Sequence, residues 1–470
     1  MASLGDMPMP RSIRSLLVPA LCASTFLGLS GSFARAADAP VTPPPANWWD
    51  TLTVSGSVEA GITFNPDSPG DGLNFGHLFT DKANQPLLNQ ILLTVQRPLD
   101  PKATDYDFGF KIQAMYGTDA RYTHYLGELD YIINDWSQIT PVEAWGIVHL
   151  PWLFAGGIDV KAGQYVTLEG AETIDPTTNY LYSHSYIFNF GIPLVHTGVM
   201  TISHVDPMVD IYLGVDTGVN TTFGNHQGDN NGAAAFHGGI GLNLLDGNLT
   251  ILATTHIGPE TPDTNGTNNT VDWITACGCN PNSSLRFLND ITVTWKATDY
   301  LTFITDANYI HDDGTYGRIA NGFGGFFPSG FHPNGYGIAQ YGILKANDWL
   351  SFVGRAEFWR DSDNFFVAAY PGNFDFVNLE HGFTNTSVAG PAPTTYLELT
   401  AGLNITVPIP DGTPVLKGLL FRPEVRYDTS LNGTTPFGGG NGFFGPGTPF
   451  FGVGTKSSQV TFGGDVIAKF

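Results

Sequence analysis

The chain has 470 residues, of which 13% are charged and 13% aromatic, with 57 glycines and a formal net charge of −23. A surface that acidic does not hold nucleic-acid phosphates. Three cysteines cannot staple a chain of this length, and no run of 18 apolar residues is present, so neither a disulfide framework nor a membrane-spanning helix is expected.

The chain opens on a leader. Arg11 and Arg14 precede a mostly apolar run over residues 15–29, and Ala34-Arg35-Ala36 follows with small residues at the positions a signal peptidase inspects. Residues 1–36 therefore read as a cleaved secretory signal. Leu21 before Cys22 argues against lipid attachment, which wants a small residue there. Without the leader, 17 basic residues face 42 acidic ones, a net charge of −25. Residues 37–50 form a short arm, proline-rich at 41–47 and ending near Trp48 and Trp49, where an interfacial aromatic belt would begin.

From residue 51 to 470, segments of alternating apolar and polar residues recur. They are 52–63, 87–97, 105–116, 141–149, 158–165, 195–204, 209–219, 235–245, 248–257, 287–297, 300–310, 335–345, 349–359, 395–407, 418–428 and 457–470. Period two places successive side chains on opposite faces of a strand. Each segment is near the ~9–11 residues that cross a bilayer at a tilt, and sixteen is the even number a closed antiparallel barrel requires. Fourteen or eighteen strands stay open, because such boundaries shift by a few residues.

Links at 205–208, 246–247, 298–299 and 346–348 are short, while 64–86, 117–140, 166–194, 258–286, 311–334, 360–394 and 429–456 are long. Short turns at one rim and long loops at the other is the layout of an outer-membrane barrel. The faces agree. Leu397, Leu399, Ala401, Leu403 and Ile405 alternate with Glu398, Thr400, Gly402 and Asn404; Phe421 and Val425 alternate with Arg422, Glu424 and Arg426; Phe108 and Ile112 alternate with Asp107, Lys111 and Gln113. A charge facing lipid costs a few kcal/mol, so the polar face is expected to line a wet lumen. The expected fold is all-β: a transmembrane, antiparallel, up-and-down barrel of about sixteen strands. A sheet with one solvated face explains one such strand but not many in succession.

The third long connection, 166–194, carries Glu169, Glu172 and Asp175 with no Lys or Arg, and Tyr180, Tyr182, Tyr186 and Phe188 suited to packing on a wall. Folded into the lumen opposite inward Lys111, Arg355, Arg422 and Arg426, these acids would make a constriction with a transverse field. The alternative is a loop outside the barrel with its acids solvated. Cys277-Gly278-Cys279 lies in a long loop without a nearby histidine, and is read as a local loop feature. The Gly/Phe stretches 322–331 and 436–452 read as surface loops, with packing over the mouth as the alternative. The twelve histidines show no H-E-x-x-H, and there is no G-x-S-x-G; no metal site, cofactor or enzymatic activity is expected. The last strand ends on Phe470, an aromatic closing position that is similar to the signal read by the outer-membrane assembly machinery.

The block 159–201 resembles the OmpL-like β-barrel porin family. It carries Gly163-Gln164 at a strand end, then Gly170 and Glu172, Tyr182-Ser183-His184-Ser185-Tyr186, Pro193, and His196-Thr197-Gly198-Val199 opening the next strand. The resemblance implies an outer-membrane channel. With it, the expected function is passive diffusion of small hydrophilic solutes or ions, with a modest preference for cations drawn by the net negative charge. The expected partners are outer-membrane lipid, the assembly machinery and those solutes, and homotrimers follow by analogy of fold. A surface-displayed barrel that binds without transport, and an outer-membrane enzyme, are the competing readings.

Overall fold

The alternating segments do form strands, and their pairing closes on itself. A computed structural model describes residues 48–100, 104–224, 228–262, 281–313, 332–383, 386–410, 412–439 and 454–470. The leader, the arm before Trp48, Cys277, Cys279, all of the Gly/Phe stretch 322–331 and most of the stretch 436–452 lie outside the described residues.

The barrel strands are β1 (Thr53–Phe64), β2 (Pro86–Arg97), β3 (Asp107–Gly117), β4 (Gln138–Leu150), β5 (Ile158–Val166), β6 (Val195–Asp206), β7 (Val209–Asp216), β8 (Ala235–Leu244), β9 (Leu249–Pro259), β10 (Leu285–Lys296), β11 (Leu301–Asp312), β12 (Asn334–Lys345) and β13 (Leu350–Asp361). After a two-stranded hairpin, β14 (Ala368–Ala369) with β15 (Val388–Ala389), the barrel resumes with β16 (Thr394–Val407), β17 (Gly418–Ser430) and β18 (Ser458–Lys469). Sixteen strands pair antiparallel in sequence order, and β18 pairs with β1. Closure satisfies every edge, which a membrane demands because lipid offers no hydrogen bonds. A 12-residue strand such as β1 runs about 40 Å, enough at a ~45° tilt for a ~30 Å hydrocarbon core. Among the described residues no helix is long and apolar enough to cross a membrane.

The faces follow the alternation. On β16, Leu399 is 44% exposed and Glu398 0%; on β17, Phe421 is 41% exposed and Arg422 1%. Exposed Trp49, Tyr106, Trp152, Trp295, Tyr300 and Trp349 ring the short-turn side, and Tyr116, Tyr309, Tyr336, Tyr427 and Phe462 ring the other. These are the two aromatic girdles of a bilayer-spanning barrel, with Ile112, Leu213, Ile240, Ile291 and Val425 between them. At the seam, Gly56 and Phe470 exchange both backbone hydrogen bonds at 2.9 Å, and the Phe470 ring occupies the space a side chain at 56 would need.

Two features exceed the sequence reading. Residues 217–234 form a further long connection. The connection after β13 holds the β14–β15 hairpin and a short helix, α1 (Asp375–Glu380), built from segments too short to show a period.

Candidate functional site

The connection between β5 and β6 folds into the barrel and is buried there. Its local structure comes from turn chemistry. Asp175 accepts a hydrogen bond from the Thr177 amide (2.9 Å) and opens a single 3-10 turn, Pro176–Thr178. Gly170 takes a positive φ of +83°, where a side chain would also meet Ile192. A five-residue π-turn, Ile187–Gly191, ends the segment.

A loop inside a barrel has backbone groups that no sheet satisfies, and each left alone would cost about 1–3 kcal/mol. The polar wall satisfies them. Glu424 accepts from the Tyr182 and Ser183 amides (2.9 and 3.1 Å), and Glu357 from those of Tyr186 and Ile187 (2.6 and 2.8 Å). Asp290 and Asp306 accept from Gly170 and Ala171. In the other direction, Arg422 donates to the carbonyls of Pro176 and Asn179 (3.0 and 2.7 Å), and Arg426 to that of His184 (2.5 Å). The wall thus reads the loop by its backbone.

The residues singled out from sequence fall into three groups. Glu172, Arg355, Arg422 and Arg426 come together around the loop. Glu172 accepts from Arg355 (2.6 Å), the Tyr341 hydroxyl (2.9 Å) and the Ser185 amide (3.0 Å), and lies 2.8 Å from His184 Nδ1. Burial alone would push its carboxyl up; Arg355 and His184 outweigh that and hold it down at about 2. Each arginine is also neutralised on the wall: Arg355 by Glu398 (2.9 Å), Arg422 by Asp465 (2.5 Å) and Glu59 (3.1 Å), Arg426 by Asp428 (2.8 Å). The charges therefore meet as contact pairs and do not face one another across an open gap, because the loop backbone fills that gap.

Lys111 and Asp175 stand apart. Lys111 pairs with Glu143 of β4 and makes no hydrogen bond to the loop among the described contacts. Asp175 is half-buried and caps its turn. Glu169 is buried with neither carboxylate oxygen hydrogen-bonded.

Two polar centres were not singled out. Residues 65–85 also enter the lumen, where His77 sits 3.0 Å from Thr80 Oγ1 and 3.2 Å from Asp428. Burial, with Arg426 near, pushes its imidazole down to about 4. The other centre gathers His196, Asp216, His237 and His256 from β6 to β9. Its signal in the sequence was an inward-facing histidine on each of three strands; only the register reveals their common height.

A family model described as "Putative beta-barrel porin-2, OmpL-like" matches residues 51–470. Comparison with curated proteins returns no match. Among solved structures, the fold is similar to the outer membrane channel DcaP of Acinetobacter baumannii, at 11% identity and a TM-score of 0.50, covering 89% of this chain and 97% of that one. An anion-selective porin from Comamonas acidovorans (8%, 0.49, 89% and 99%) and OprB of Pseudomonas putida (11%, 0.48, 89% and 94%) are also similar. At these identities the likeness is one of fold.

Proposed function

The chain belongs to the OmpL-like β-barrel porin family, and from that premise we propose that this outer-membrane channel passes small hydrophilic solutes or ions passively, through a lumen narrowed by residues 167–194. The single observation that carries this reading is the docking of that segment: wall carboxylates and guanidiniums hold its backbone inside the barrel. A segment held there narrows the lumen, so the solutes proposed are small. The reading is of transport without catalysis.

A modest cation preference is the finer part of the proposal. The three arginines at the loop are each matched by a wall carboxylate, and the chain as a whole carries a net charge of −23. A net negative chain around a narrow channel concentrates cations at its mouths. The test is single-channel recording of the purified protein in a planar bilayer under a salt gradient. A cation-to-anion permeability ratio above one at low salt is expected, falling toward one as screening shortens below ~10 Å. An anion-selective reversal potential would remove the preference; absence of conductance would remove the channel.

A further inference from the structure

We propose that His196, Asp216 and His256, with His237 as a fourth donor, form a binding site for one divalent transition-metal ion on the lumen wall.

The site is built by register. Asp216 of β7 lies opposite Gly198 on β6 and Ala235 on β8, and His237 of β8 lies directly opposite His256 of β9. Alternation then turns all four side chains inward at the long-loop ends of four consecutive strands. All four are buried. The donor atoms converge: Asp216 Oδ2 is 3.3 Å from His196 Nδ1 and 3.7 Å from His237 Nδ1, and Asp216 Oδ1 is 3.0 Å from His256 Nε2. A tetrahedral ion with bonds of ~2.0–2.1 Å spaces its ligands at about 3.3 Å. The cluster needs only small adjustments to accept one.

A hydrogen-bond network is the plain alternative, and it leaves too much unmet. His196 Nδ1, both nitrogens of His237 and Asp216 Oδ2 have no hydrogen-bond partner. Buried polar groups almost always do. An ion at the centre would engage His196 Nδ1, His237 Nδ1 and Asp216 Oδ2 together, which a single carboxylate shared by three imidazoles cannot.

The surroundings fit the same reading. Thr167 Oγ1 lies 3.2 Å from His196 Nε2 and sets that ring with Nδ1 toward the centre. Asp216 Oδ1 accepts from the Gly218 amide (3.0 Å), and Glu260 stands 3.9 Å from His256 Nδ1. Oriented imidazoles with a carboxylate behind them are the usual support of a metal ligand. Imidazole with one carboxylate favours zinc, cobalt, nickel or copper over magnesium or calcium, which prefer all-oxygen shells. Glu169, two residues past Thr167, is also buried near the site with both oxygens unpartnered.

The experiment uses the full folded barrel in detergent, stripped with chelator and titrated with Zn2+ or Co2+ alone. One tightly held equivalent per chain is expected by elemental analysis after desalting, with the ligand-field absorption of four-coordinate Co2+ bearing nitrogen donors. A His196→Asn, His256→Gln double variant that keeps heat-modifiable mobility should lose that equivalent, and His237→Gln should weaken it. Retention of the equivalent by the folded double variant overturns the assignment. If that variant does not fold, the wild-type Co2+ spectrum decides: an octahedral, water-like spectrum, or no bound equivalent, refutes the site.

Discussion

Replacing Glu172 with Gln tests whether the loop is held in the lumen by charge. The carboxylate is buried and takes hydrogen bonds from Arg355, Tyr341 and the Ser185 amide. Its carboxyl is held at about 2 against an ordinary 4.5. At 1.36 kcal/mol per unit, the charged form stabilises the docked loop by about 3 kcal/mol relative to the neutral one. The amide keeps the shape but has only one acceptor oxygen, so either the side facing Arg355 and Tyr341 or the side facing the Ser185 amide loses its acceptor. The docked loop should lose about 2–3 kcal/mol, raising its undocked population by about 30- to 150-fold. Because this pKa is depressed by docking, the wild-type contribution is present above about pH 4.5 and is lost as pH falls toward 2. Hydrogen exchange read by mass spectrometry on peptides covering 181–191 is the assay. Protection there should fall by one to two orders of magnitude in Glu172→Gln while β10 to β13 stay protected. Unchanged exchange in 181–191 would refute the idea that this ion pair seats the loop.

Three further perturbations follow. Ile291→Arg, outward on β10, should cost about 2–4 kcal/mol and cut the yield of folded barrel, while Thr294→Arg, inward and half-buried on the same strand, should be tolerated; equal yields would mean the faces are misassigned. Phe470→Ala and Gly56→Val both disturb the β1–β18 seam, and each should reduce the heat-modifiable, membrane-inserted fraction; wild-type amounts of both would refute a role for that ring in closure. Acidification should loosen residues 74–83, because His77 is held neutral at about 4 against 6.5. The undocked state takes the proton first, so about 3 kcal/mol is lost as pH falls from 6.5 to 4; exchange in that segment that is flat across this range contradicts the burial argument.

The strands were legible because lipid imposes one pattern on all of them. Leu399 and Phe421 must face out and Glu398 and Arg422 must face in, whatever the neighbouring strands do. The expected segments 158–165, 209–219 and 457–470 differ from β5, β7 and β18 by no more than three residues at an end. The side-chain partners were less legible. Arg355 and Glu172 are 183 positions apart and meet only because the loop crosses to the far wall. Lys111 has the same inward phase as the arginines, yet Glu143 on the adjacent strand is nearer than any loop acid. His196, His237 and His256 share a height through three successive registers, and local spacing cannot encode that.

The polar wall also explains why so acidic a chain keeps its arginines where it does. A backbone segment inside a barrel presents amides and carbonyls in equal number, so a wall of acids alone would satisfy only half of them. Glu424 and Glu357 take two amides each, and Arg422 takes two carbonyls that no carboxylate can serve. Each guanidinium then needs a carboxylate behind it, which Asp465, Glu398 and Asp428 provide. The arginines are therefore absorbed by the loop and its supports, and their field is short-ranged. An ion preference therefore has to arise from charge outside this cluster, which makes its sign a property of the rest of the lumen and its mouths and not of the arginines.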